Sequence, residues 1–327
     1  MALVEANLEI PQSDINGEEV TTKFSAVSVR NVLFATDFSS TSEAALPYAA
    51  AICRRFGSTL HTVHVLSDTG LVMMTGGIDY VSMGTLYEEA HTEAKEKLDQ
   101  IANRLQGVPH RNHVRHGQVW SGLADVIEGN EVDLIVVGTH GRTGMGKFLL
   151  GSVAEMILRH APCPVLTIGP KVSGRAKLGS FAKHGRDLAP HELELRQIIL
   201  ATNFGRNSAR LVQEAIAVAE EFRARLTLLH VIEHYSQPGR RRGRIEDGVR
   251  RLQDLIPRNA SLQYHPEIAL EFGSPSERIL NAASDREADL IVLGAHSCSE
   301  VGGTHHPWSA AHHVIARAHC PVLTIRE

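Results

Sequence analysis

Arg30-Asn-Val-Leu-Phe-Ala-Thr-Asp37-Phe38 returns 166 residues later as Arg196-Gln-Ile-Ile-Leu-Ala-Thr-Asn203-Phe204. The same offset carries Leu60, His64 and Val65 onto Leu226, His230 and Val231 without a gap. Downstream, Asp133-Leu-Ile-Val-Val-Gly138-Thr-His140 is answered by Asp289-Leu-Ile-Val-Leu-Gly294-Ala-His296. Ala161-Pro-Cys-Pro-Val-Leu-Thr-Ile168 is likewise answered by Ala318-His-Cys-Pro-Val-Leu-Thr-Ile325. Self-similarity on this scale means two copies of one folding unit, and 327 residues is about twice an ordinary domain. The chain divides into a flexible N-terminal arm over 1–28, a first copy over 29–169, a linker over 170–194 and a second copy over 195–327.

Within a copy, short β-branched runs alternate with stretches of helical period, the pattern of parallel βαβ units. Strands are predicted over Val32–Thr36, Leu60–Val65, about Arg111–His116, Leu134–Val137 and Pro164–Ile168. A helix over Ser42–Arg55 places Ala45, Ala49, Ile52 and Phe56 on one face, and one over His91–Leu105 repeats the pattern with Ala94, Leu98 and Ile101. The expected fold class is α/β, two tandem open parallel sheets with helices on both faces. Such doubly wound sheets take ligands beyond the carboxyl ends of their strands.

Composition narrows the function. Lys plus Arg number 33 against 37 Asp plus Glu, a formal net charge of −4, which lacks the basic excess expected of a nucleic-acid binder. No apolar run reaches the roughly 18 residues of a membrane span, and the first residues lack the pattern of a secretory signal. Four scattered cysteines (Cys53, Cys163, Cys298, Cys320) fit no disulfide framework and suit a reducing compartment. The expectation is a cytoplasmic protein without nucleic-acid or membrane partners. A basic cluster, Arg240-Arg-Arg242-Gly-Arg244, is expected in a loop after Val231-Ile-Glu233, as solvated surface or as a docking patch for an acidic partner.

Chemistry concentrates after the fourth strand of copy one, at Gly138-Thr-His-Gly141-Arg-Thr-Gly144-Met-Gly146-Lys147-Phe-Leu-Leu-Gly151-Ser152-Val153. Glycines let backbone amides approach an oxyanion, and the helix expected to start at Ser152 adds unpaired amides and a favourable dipole. Asp37, ending the first strand in the same region, offers a carboxylate to ribose hydroxyls or a metal ion. The plainer readings stand beside these: turn-forming glycines, Ser152 as a helix cap, and Asp37 as a cap of the following helix. His64 and His140 read as hydrogen-bonded structural positions, and Cys163 and Cys320 as small core residues. Gly141 to Lys147 also fits G-x4-G-K, but Phe148 stands where a P-loop needs Ser or Thr for magnesium.

These residues resemble the universal stress protein family, in particular its ATP-binding branch with the signature G-x2-G-x9-G-[ST]. The spacing matches at Gly138, Gly141, Gly151 and Ser152, and the acidic residue of strand one matches Asp37 in Ala35-Thr36-Asp37. The resemblance implies five-stranded sheets of order 3-2-1-4-5, an adenine nucleotide alpha hydrolase-like fold. It also implies adenine near Val65, ribose near Asp37 and Gly138, and phosphates at Gly141, Gly151 and Ser152. Ala35, Thr36, His140 and Val153 complete the set of nucleotide-binding positions it suggests, for ATP with or without magnesium. The family further implies that the last strands pair across a pseudo-two-fold, Pro164–Ile168 against Pro321–Ile325. Assembly into a homodimer is left open.

Copy two departs from this pattern. Asn203 replaces Asp37, Ser297 replaces Gly141, and Trp308 falls opposite Gly151 while Ser309 keeps the place of Ser152. It reads as a degenerate, partner-forming module. Its histidines and cysteine (His296, Cys298, His305, His306, His312, His313, His319) match no standard zinc spacing, so no metal is assigned. The functional expectation is a nucleotide-dependent stress-response or signalling protein. The alternatives are a slow ATPase or autophosphorylating enzyme, and an interaction scaffold without nucleotide.

Overall fold

The computed structural model describes residues 28–67, 80–139, 150–172, 193–233, 241–295 and 307–326. The arm before Ser28 and most of the linker lie outside the described residues. In chain order the first copy gives β1 (Asn31–Ala35), α1 (Ser40–Glu43), α2 (Leu46–Phe56), β2 (Thr59–Leu66), α3 (Tyr80–Asn103) and β3 (His110–His116). It continues through α4 (Val119–Gly129), β4 (Leu134–Gly138), α5 (Ser152–His160) and β5 (Val165–Ile168). The second gives β6 (Gln197–Ala201), α6 (Ser208–Phe222), β7 (Arg225–Ile232), α7 (Arg241–Asp254), β8 (Glu267–Phe272), α8 (Pro275–Asp285), β9 (Leu290–Ala295), α9 (Pro307–Arg317) and β10 (Val322–Arg326).

Contacts divide the chain into two units. One contains residues 29–194 together with 295–326, the other residues 195–294. In the first unit the strand order is β3-β2-β1-β4-β5-β10. The five strands of copy one run parallel, and β10 joins β5 antiparallel, with Val322, Leu323 and Thr324 opposite Thr167, Leu166 and Val165. The Thr167 hydroxyl donates to the Val322 carbonyl at 3.0 Å and fixes that register. The second unit carries β9-β6-β7-β8, all parallel.

Burial explains the strands. Val32, Leu33 and Phe34 are fully covered, as are Ile198, Ile199 and Leu200, because helices lie over both faces of a parallel sheet. The helices bury the faces their spacing marks: Ala45, Ala49 and Ile52; Ala94, Leu98 and Ile101; Leu211, Ala215 and Ile216. Each copy also holds the start of its first strand with an aspartate. Asp133 Oδ2 accepts from the Arg30 and Asn31 amides at 2.7 and 2.9 Å, and Asp289 Oδ2 accepts from Arg196 and Gln197 at 2.8 and 3.0 Å.

Three expectations need correction. The helix over Ser42–Arg55 is two helices, because Pro47 in the first turn of α2 has no N–H and its ring cannot pack behind the carbonyl four residues earlier. The helix expected to start at His91 starts at Tyr80. The basic cluster expected in a loop contributes Arg241, Arg242 and Arg244 to α7. Arginine is a good helix former, and the helix gains ion pairs from Arg242 to Glu246 at 2.9 Å and from Arg250 to Asp247 at 2.5 Å, with Leu252 buried on the opposite face.

Candidate functional site

The carboxyl end of β1 is built by a short polar network. The Thr36 amide bonds the Val63 carbonyl at 3.0 Å, extending the β1–β2 ladder by one residue. The buried Thr36 hydroxyl lies 3.1 Å from that of Ser42 and accepts from the Phe38 amide at 3.0 Å. Phe38 takes the left-handed backbone (φ 62°), which turns the chain sharply and sets Asp37 at the strand end. Asp37 Oδ1 then accepts from the Ser39 amide at 3.0 Å and the Ser39 hydroxyl at 2.6 Å. Ser39 in turn caps α1, its Oγ accepting from the Ser42 amide at 3.1 Å. Asp37 therefore shapes the turn, and Ser39 is the residue that caps the helix.

His64 belongs to this frame. Its Nδ1 is 2.8 Å from the Thr36 carbonyl, an acceptor only, so Nδ1 carries the proton. The ring also packs on Phe38, centroids 4.3 Å apart. Val65, next along β2, belongs to the opposite face, where it is half-buried and α4 packs against it: a Cβ built on Gly122 would lie 3.2 Å from a Val65 methyl. Ala35 is buried and in register with both Val63 and Val137.

Gly138 closes the site from the β4 side. A Cβ there would meet the Thr41 carbonyl oxygen at 2.5 Å and the Ser42 Cα at 3.0 Å. Its φ lies outside the left-handed range, so a close approach of backbones, rather than a turn, demands the glycine. From Thr139 the chain leaves the sheet, and it is regained at Gly151, whose amide donates to the Thr139 carbonyl at 2.7 Å. Gly151 is the N-cap of α5 with φ −64° and ψ 147°, values open to any residue, and, being glycine, it makes no side-chain cap bond. Ser152 is the first helical residue and exposed, so it is not the cap that its plain reading made it; Val153 follows, half-buried. His140 and Gly141 lie outside the described residues, as does Lys147. The structure thus gathers Ala35, Thr36, Asp37, Val65, Gly138, Gly151, Ser152 and Val153 at the carboxyl edge of copy one.

The sequence reading missed Ser39, Ser42 and the Thr139–Gly151 bond. The repeat held a signal for two members of this network, since Phe38 and Ser42 recur at the same offset as Phe204 and Ser208. The second unit rebuilds the network: Thr202 Oγ1 donates to Ser208 Oγ at 3.0 Å, and the Phe204 amide (φ 61°) donates to Thr202 Oγ1 at 3.1 Å. His230 Nδ1 donates to the Thr202 carbonyl at 2.8 Å. Asn203 Oδ1 accepts from the Gly205 amide at 2.9 Å, reproducing the turn of Asp37 without its charge.

The remaining candidates separate. Cys163 is raised to about 12, chiefly by burial and further by Asp133, so its thiol stays protonated, and Cys320 is buried. His296, Ser297, Cys298, His305 and His306 lie outside the described residues, as does the Trp308 side chain. Helix α9 starts at Pro307, which puts Ser309 third in the helix where Ser152 is first in α5. His312 is held below the usual histidine range by burial.

The model of the universal stress protein family matches residues 28–169 and again 194–326. A universal stress protein of Methanocaldococcus jannaschii is 30% identical over 139 residues, covering 42% of this chain and 81% of that protein. The universal stress protein A homolog 1 of Coxiella burnetii is 32% identical over 143 residues, 43% of this chain and 97% of its own length. The crystal structure of a universal stress protein from Archaeoglobus fulgidus superposes with a TM-score of 0.60 at 20% identity, over 91% of this chain and 96% of that one, and so shares the fold. The chain belongs to the universal stress protein family and carries two of its domains in tandem.

Proposed function

We propose that copy one binds an adenine nucleotide, ATP with or without magnesium, and that its occupancy governs a role in stress response or signalling. The observation that carries this reading is the bond from the Gly151 amide to the Thr139 carbonyl, which brings the start of α5 to the end of β4. The cap of that helix is a glycine, which brings no side chain to its first amides, and helix N-termini of this kind suit anion binding. The donor set fits the ligand. Asp37 presents a carboxylate for ribose hydroxyls, Val65 an apolar wall for the base, and Ser152 and Val153 a hydroxyl and amides for phosphate. His140 and Gly141 join the set through the family resemblance. In copy two Asn203 keeps the turn but not the charge, which supports a single site per chain.

Mass spectrometry of the denatured, as-purified protein, together with calorimetry of the full chain against ATP, tests the proposal. One adenine nucleotide per chain is expected, with affinity weakened about tenfold by Asp37→Asn. Protein that carries no adenine nucleotide and gives no heat with ATP at about millimolar concentration, the weak end of ligand binding, overturns it.

A further inference from the structure

A second cleft lies in the unit 195–294, on the sheet face covered by α7. Its volume is about 590 Å³, and its lining includes Phe204, His230 and Ile232 from the ends of β6 and β7, and Arg244, Asp247 and Arg251 from α7. That volume is in the range of small-molecule sites, roughly 300–1,000 Å³. His230 and Ile232 alternate with Val231 along β7, so the cleft is on the face opposite the position equivalent to Val65. It is therefore separate from the nucleotide edge described above.

We propose that this cleft binds a small aromatic anion, a carboxylate, sulfonate or phosphate carried on a flat apolar body. Arg251 supplies charge. Its guanidinium lies over the Phe204 ring at 4.0 Å, and among the described residues it has no carboxylate partner. Arg244 adds a second guanidinium to the lining. The Asp247 carboxylate is engaged by Arg250 at 2.5 Å rather than by Arg251. Phe204 and Ile232 provide the apolar wall. His230 donates its Nδ1 proton to Thr202, and burial is the main cause that holds it below the usual histidine range, so its Nε2 is an acceptor rather than a competing cation.

Copy one fills the equivalent positions differently. Lys97 lies over Phe38 at 5.5 Å, as Arg251 lies over Phe204, but Lys97 is paired with Glu93. Counting back along the two helices from these cations puts Gly243 and Arg244 where copy one has Glu89 and Ala90. Copy two has no side chain where copy one has a long one, and a cation where copy one has a methyl. Among the described residues a Cβ on Gly243 would meet nothing within 4 Å, whereas one on Gly248 would lie 3.0 Å from a Leu270 methyl, so Gly248 lets α7 sit close on β8.

The probe is 8-anilinonaphthalene-1-sulfonate, an aromatic anion whose fluorescence rises on binding, titrated into the full chain with saturating ATP. Saturable binding of one probe per chain is expected, insensitive to ATP. Arg244→Ala/Arg251→Ala should weaken it about tenfold or more, as loss of charged hydrogen-bond partners does. Gly243→Leu, which fills the cleft from a position with open space, should abolish it while the thermal melt stays cooperative. Arg258→Ala serves as a charge control and should change nothing. Probe release by ATP, or equal binding by wild type and both cleft variants, overturns the proposal. So does displacement by polyglutamate that persists in Gly243→Leu, since that result marks a surface patch for acidic proteins instead.

Discussion

Gly138→Ala tests the idea that the end of β4 and the start of α1 touch through backbone alone. The added methyl would lie 2.5 Å from the Thr41 carbonyl oxygen, where ordinary contact begins at 3.4 Å, so one segment must retreat by about 0.5–0.9 Å. The retreat falls on a network with little slack: Thr36 to Ser42 at 3.1 Å and Ser42 to the Ser39 hydroxyl at 3.1 Å. Overpacking of about 1–3 kcal/mol, with about 1 kcal/mol for a hydrogen bond stretched beyond use, gives an expected loss of about 2–4 kcal/mol. In urea unfolding followed by circular dichroism, this is a midpoint lower by about 1 M with unchanged slope. Because the obstacle is a carbonyl, adding Thr41→Gly should not restore stability. An unaltered midpoint, or rescue by trimming Thr41, would refute the reasoning.

Three further outcomes follow from other contacts. Asp37→Asn should leave stability within about 0.5 kcal/mol, since Asn203 makes the same turn, and should weaken ATP binding about tenfold in calorimetry; unchanged affinity removes Asp37 from the site. Asp133→Ala removes the acceptor of two backbone amides and should lower stability by about 1–3 kcal/mol in thermal melts; a loss under about 0.5 kcal/mol counts against the anchor. His113 is lowered to about 4 by burial, then by His61, Arg115 and Arg111. Its folded value lies below the ordinary 6.5, so the unfolded chain binds the proton first and stability falls as pH drops from about 6.5 towards 4, by about 1–2 kcal/mol after solvent screening. Proton NMR titration of the His113 ring checks this, and a midpoint at or above 6.5 contradicts it.

How far the sequence reveals the fold depends on the residue type carrying each signal. Ala45, Ala49 and Ile52 announce a buried helix face, but the break before Leu46 depends on where Pro47 falls within a turn, which apolar spacing does not encode. Residues 240–244 read as a loop because charge and Gly243 suppress the helical pattern. The helix that begins at Arg241 is sustained by Glu246, Asp247 and the burial of Leu252 further along. At the site, Asp37, Gly138 and Gly151 stand out by type and spacing. Their reasons differ from the first expectation: Gly138 admits the α1 backbone, and Gly151, not Ser152, occupies the cap. The bond from Gly151 to Thr139 joins two main chains and leaves no trace in side-chain identity.

The pairing of β5 with β10 sets an order of events during synthesis. Thr167 bonds a carbonyl 155 residues downstream, so the first unit holds contacts of very high sequence separation. Until β10 has emerged, β5 is an open edge with its ladder groups unpaired, able to recruit a strand from another chain. A nascent chain stalled before Val322 should therefore present β5 as an open edge, and depend on chaperones or pair with a neighbour. Tethering both copies in one polypeptide keeps the correct strand at high local concentration and makes this closure intramolecular.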